Sequence, residues 1–159
     1  MFQLKKVKNF IFLDSSQKVL LLEAYYYLAL ARFMKARPFT KLAPILGKNM
    51  EETSTKVNFA DREMLWRISD AILIMSGYTF WESKCLVKAI AGMKMLKRRK
   101  IESTLYLGTA KDDDGKLIAH AWLRSGPFYI TGKEEMKRFT VVGKFAQNEF
   151  GITKRRSHE

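Results

Sequence analysis

A helical first half followed by an alternating second half predicts an α+β domain, with helices packed on an antiparallel sheet. Three observations carry this expectation. Apolar residues recur at helical spacing in residues 16–36, 59–75 and 86–96. From residue 101 onward the period falls to two. Turn signals, Asp112-Asp113-Asp114-Gly115 and Ser125-Gly126, separate the alternating stretches.

The first helix is expected over 16–36, with Leu20, Leu21, Ala24, Tyr27, Leu28, Ala31 and Met34 as its apolar face. Asp14, Ser15 and Ser16 offer caps, and Pro38 ends it because proline cannot continue a helix. Residues 39–47 read as a short helical turn closed by Gly47, and the polar run 48–58 reads as a loop. That loop is the one plausible linker, too short and too complex in composition to divide the chain into two domains. A second long helix is expected over 59–75, with Phe59, Leu65, Ile68, Ala71, Ile72 and Met75 inward and Gly77 as its stop. The next begins near Cys85, with Thr79 and Ser83 as candidate caps, and ends in the basic run Lys97–Lys100, expected to be a solvated helix end. Strands are expected at 104–108, 117–124, 127–131 and 139–145. In the second of these, Ile118, His120 and Trp122 share one face, and Leu117, Ala119, Ala121 and Leu123 the other.

The 159 residues leave room for one domain with a real core, and a hydrophobic fraction of 47% marks a globular chain. The apolar run Phe10–Leu13 is too short for a signal sequence, and no apolar run approaches the roughly 20 residues that span a bilayer. One cysteine excludes an intrachain disulfide framework and fits a reducing compartment, so the cytoplasm is the expected location. The formal charge of +13 points to an acidic partner without identifying it.

Cys85 is the only thiol in the chain. In the first turn of a helix, unpaired N–H groups and the helix dipole favour a thiolate, which suits a nucleophile. A buried structural cysteine is the competing reading. His158 lies in the basic tail, which leaves His120, within an apolar strand, as the histidine available to a site. Cysteine-based acyl transfer needs a thiol, an imidazole to take its proton and a third group to orient the imidazole. A helix-start cysteine followed by a strand histidine meets the first two needs. One core histidine and one cysteine are too few for a zinc site, the acidic run 112–114 lacks the spacing of a calcium loop, and no glycine-rich phosphate loop is present. No cofactor and no metal is therefore expected.

The blocks W-E-S-K-C-L-V-K-A at Trp81–Ala89, L-K-R-R-K at Leu96–Lys100, L-Y-L-G at Leu105–Gly108 and A-H-A-W-L-R at Ala119–Arg124 together resemble the lasso-peptide leader peptidases. These are small bacterial cysteine proteases of transglutaminase-like, papain-related fold. The resemblance is strongest over residues 78–145. It implies a standalone peptidase that removes the leader from a ribosomally made precursor, a small leader-recognition partner protein, and an ATP-dependent macrocyclase acting afterwards. Carried over, Cys85 is the nucleophile and His120 the general base; the Cys85 N–H, at the helix start, is expected to be an oxyanion donor because it points where negative charge develops. The family's third member is an aspartate on the next strand. Ile130–Glu135 contains none, so Glu134 takes that place, with Thr131, a backbone carbonyl or water as alternatives. Phe80 stands where the family has proline. Trp81 and Trp122 either wall the substrate site or pack in the core. Two other classes share the sequence features. One is a transglutaminase-like acyltransferase with the same dyad and a different acceptor. The other is a non-catalytic nucleic-acid-binding module built on Lys5-Lys6, Lys97–Lys100 and Lys154–Arg156. Against the latter, the basic residues are scattered and lack interleaved aromatics.

Overall fold

The computed structural model describes residues 14–56 and 58–148. The Phe10–Leu13 run, Lys5-Lys6, Lys154–Arg156 and His158 lie outside the described residues. In chain order the elements are α1 (Ser15–Lys35), α2 (Phe39–Leu46), β1 (Lys48–Asn49), a 3₁₀ turn (Phe59–Asp61), α3 (Arg62–Ser76), α4 (Cys85–Arg98), β2 (Ser103–Lys111), β3 (Leu117–Ser125), β4 (Phe128–Thr131), a second 3₁₀ turn (Met136–Arg138) and β5 (Thr140–Gln147). The strands form one antiparallel sheet in the order β1-β5-β2-β3-β4. Helices on one side and an antiparallel sheet on the other give the α+β architecture that the change of period predicts.

α4 is the centre of the fold. The sequence suggests a single apolar stripe, Leu86, Ala89, Ile90, Met93 and Leu96. The structure leaves Leu86 half-buried, buries the other four, and buries Val87, Ala91, Gly92 and Met95 as well, because α1 and α3 cover one side of the helix and the sheet covers the other. Gly92 makes this close packing possible. A Cβ there would stand 2.8 Å from Leu123 Cδ2 and 3.0 Å from Ile72 Cδ1.

Three expectations are corrected. Phe59 is 77% exposed, not inward. The Asn58 side chain accepts the Ala60 N–H and starts a 3₁₀ turn, so the inward stripe of α3 begins only at Leu65. The run 48–58 is not a bare loop. β1 pairs with β5, and Thr53 is tied to Thr104 through its N–H (2.9 Å) and its hydroxyl (2.8 Å). Nor is the whole of Lys97–Lys100 a solvated helix end. Arg99 turns back onto Glu23 with two hydrogen bonds of 2.7 and 2.6 Å, and donates to the Met95 carbonyl.

The two faces of the sheet differ. Leu105, Ala121, Leu123, Ile130 and Phe145 join the helical core. On the other face Tyr106 and Trp122 stack at 5.5 Å, and Arg124 is buried beneath the strap formed by residues 52–54.

Candidate active site

Cys85 opens α4 and is half-buried against the core. Lys84 occupies the cap position and makes no side-chain cap bond. Thr79 and Ser83 do not cap α4, contrary to expectation. Their hydroxyls meet each other at 2.9 Å, and Thr79 Oγ1 also lies at 3.1 Å from the Ser76 carbonyl and 3.0 Å from that of Trp81. The hydroxyls thus close the turn leading into the helix, and among the described residues no side chain accepts from the N–H groups of its first turn. Such an end is suited to developing negative charge.

Trp81 packs on Tyr25 (ring centroids 5.2 Å apart) and meets Phe80 edge-on (4.6 Å). Its Nε1–H is buried without a hydrogen-bond partner among the described residues.

His120 lies on β3. Alternation along that strand puts it with Trp122 on the face opposite Ala121 and Leu123. Its ring is fixed from three sides. Trp122 lies at 5.9 Å, Phe139 at 5.0 Å, and Nε2 is 2.9 Å from the carbonyl of Gly132. A carbonyl oxygen can only accept, so Nε2 carries the proton and Nδ1 of the neutral ring is the acceptor.

Gly132 has φ +75°, and a Cβ there would stand 2.6 Å from the Ala121 carbonyl oxygen, 2.9 Å from Trp122 Cβ and 3.1 Å from the ring nitrogen itself. Only glycine fits that backbone and that space. The partner of the ring is therefore a backbone carbonyl at the end of β4. Neither Glu134 nor Thr131 bonds the ring. Thr131 Oγ1 is buried without a partner among the described residues. Glu134 lines a cleft of about 310 Å³ between β4 and α3, together with Gly132, Lys133 and Trp66.

Cys85 and His120 belong to neighbouring elements: Gly92, seven residues along the helix that Cys85 opens, sits against Leu123 of β3. No hydrogen bond joins the Cys85 thiol to the His120 ring among the described residues. The ring stands on the sheet face away from the core.

The profile described as the Transglutaminase-like superfamily matches residues 27–144, nearly three quarters of the chain. The chain belongs to this superfamily. Neither a curated protein nor a solved structure matches it. A transglutaminase-like chain is one of cysteine-dependent protease and acyl-transfer type, and its sole cysteine is Cys85. The match spans α4 and β3, and so includes Cys85 and His120. Among the described residues of this transglutaminase-like fold, no three histidine, cysteine or carboxylate side chains group to hold a metal ion. No described helix is long and apolar enough to cross a membrane.

Two residues of the site region carry no assigned role in the sequence reading. Gly132 is one. Its signal is a glycine just past a strand, where a family carboxylate is expected. Arg124 is the other. Its signal is a single charge at the end of an apolar strand, and burial alone reveals what it does.

Proposed function

We propose that this protein is a cysteine peptidase that removes the leader from a lasso-peptide precursor, with Cys85 as nucleophile and His120 as general base. The observation that most supports this reading is the His120 ring held through Nε2 by the Gly132 carbonyl, which leaves Nδ1 to accept the thiol proton. Transfer requires the ring and the thiol to close on each other when substrate is bound, as catalytic contacts commonly tighten in the complex. The thiolate then adds to the scissile carbonyl. The N–H groups at the start of α4 receive the oxyanion. The leaving amine takes its proton from the imidazolium, and a thioester remains. Water, deprotonated by His120, releases the carboxylic acid and restores the thiol. Trp81 and Phe80 border the approach to Cys85. Partners in this reading are the precursor, a small leader-binding protein and an ATP-dependent macrocyclase.

The acyltransferase alternative differs only in the acceptor. Precursor peptides encoded beside the gene, incubated with the protein with and without an added amine, separate the two by mass. A free carboxylate at the leader's new terminus in both reactions supports the peptidase. Amide formation whenever amine is present supports the transferase, and no product from any neighbouring precursor sinks the lasso-peptide assignment.

Gly132 acts as a positioning residue in this scheme. Gly132→Ala is expected to lower kcat by about 100-fold or more, the lower range of general-base contributions. It should also change the His120 tautomer ratio read by ¹⁵N NMR, which a purely structural loss in a folded variant would not do. An unchanged ratio in a folded, inactive variant would count against the positioning role.

A further inference from the structure

α1 carries two apolar faces, and the described residues bury one of them. Leu20, Leu21, Ala24, Leu28, Ala31 and Met34 are buried. Val19, Leu22, Tyr26, Ala29 and Phe33 follow each other in steps of three and four residues, about 170° round the helix from the buried face. The four larger side chains of this row are all more than 60% exposed. An exposed apolar row at this spacing is the seam on which a second helix packs.

The seam leads to the catalytic segment. Tyr25, beside it, packs on Trp81. Phe80, which also meets Trp81, is 90% exposed. The Glu82 carboxylate, held below its usual range first by the hydrogen bond from Lys84, also feels Lys35 and Arg32 from the end of α1. Cys85 follows three residues later. Cations bracket the seam. Arg32 flanks it on the Trp81 side, and on the other side Arg98 and Arg99 converge on the single carboxylate of Glu23. A second copy of this chain would set the same cations against each other. An acidic amphipathic helix matches both the apolar row and its charged borders.

We propose that this seam docks an acidic amphipathic segment of the peptide substrate, laid along α1 as a helix so that the chain beyond it passes Phe80 to reach Cys85. The inference rests on the peptidase reading for the identity of its occupant, while docking itself needs no thiol chemistry.

The test uses the full-length Cys85→Ala protein and a fluorescein-labelled helical peptide of about 18 residues, with leucine at the two seam positions of each heptad and glutamate elsewhere. A lysine-for-glutamate version and a scrambled version are the controls. Polarisation is expected to show binding of the acidic peptide alone, weakened by added salt. Leu22→Ser and Phe33→Ser should each weaken it by about tenfold or more, as for an interface anchor. Both positions are exposed, and circular dichroism checks that the variants fold. Three results would overturn the proposal: no binding at low salt, equal binding of the acidic and control peptides, or a wild-type dimer in sedimentation that Leu22→Ser and Phe33→Ser dissociate. Loss of docking with Cys85-dependent cleavage intact removes the seam alone. Intact docking in a protein without Cys85-dependent cleavage removes the peptidase reading and leaves the seam.

Discussion

Replacing Cys85 with alanine is expected to leave a folded protein that has lost about four or more orders of magnitude of cleavage activity, as removal of a covalent nucleophile does. No second thiol exists to substitute for it. The side chain is half-buried at the rim of the core, so its truncation should cost less than about 1.5 kcal/mol of stability. Cys85→Ser keeps an oxygen in place but lacks the nucleophilicity of a thiolate, and should be nearly as inactive. Circular dichroism melts and a mass-spectrometric cleavage assay report the two quantities separately. Alkylation by iodoacetamide adds a readout that needs no substrate. A catalytic Cys85 should react in the folded wild type at neutral pH, and more slowly in His120→Ala. A core cysteine would react only on unfolding, and equal rates in the two folded proteins would remove the dyad.

The architecture was legible because each half of the chain has a clear period. The buried residues Leu20, Leu28, Ile68, Ile72, Ile90 and Met93 all belong to expected helical faces. Periodicity reports one face of a helix, however, and α4 is enclosed on nearly all sides. The burial of Val87, Ala91 and Met95 depends on partners that come from opposite ends of the chain. Cap chemistry misled for a similar reason. Thr79 and Ser83 have the right side chains for a cap, but the turn between them uses their hydroxyls internally. At the site, Cys85 and His120 stand out by scarcity, since the chain holds one thiol and two imidazoles. The group that holds the His120 ring is a main-chain oxygen. No side-chain pattern encodes it, and only the glycine that permits its direction leaves a mark in the sequence. Arg99 and Glu23, 76 residues apart, meet only in the folded chain.

Arg124→Ala is expected to be the most destabilising single substitution outside the central helix, costing about 3–5 kcal/mol, the range for removing one partner of a buried charged network. Arg124 is only 5% exposed. Nε donates to Tyr106 Oη at 2.9 Å, Nη1 to the carbonyls of Gly126 and Ser54 at 2.6 and 3.2 Å, and Nη2 to that of Thr53 at 3.0 Å, with Glu52 3.6 Å away. A guanidinium has five N–H donors in a rigid plane, and here the plane clamps the 52–54 strap to the β3–β4 turn. Alanine would strip three carbonyls of their donor, the buried one of Thr53 and the part-buried ones of Ser54 and Gly126, and leave a cavity. Lysine keeps the charge but not the plane, so Arg124→Lys should recover less than half of the loss. The Glu52 edge adds an acid dependence. Its carboxyl is held below its usual range first by the Lys144 hydrogen bond, with Lys144 and Arg124 charges assisting. A lowered carboxylate stabilises the fold above its unfolded value and stops doing so as pH falls through the folded one. The stability difference between wild type and Glu52→Gln should therefore shrink below the ordinary carboxylate range. The clamp also reaches the site, because the Tyr106 that it bonds stacks on Trp122, which in turn stacks on His120. Urea unfolding of Arg124→Ala and Arg124→Lys, with the His120 ring resonances followed in each, tests both claims. A destabilised Arg124→Ala whose His120 resonances stay at their wild-type positions would confine the clamp to stability and sever it from the site.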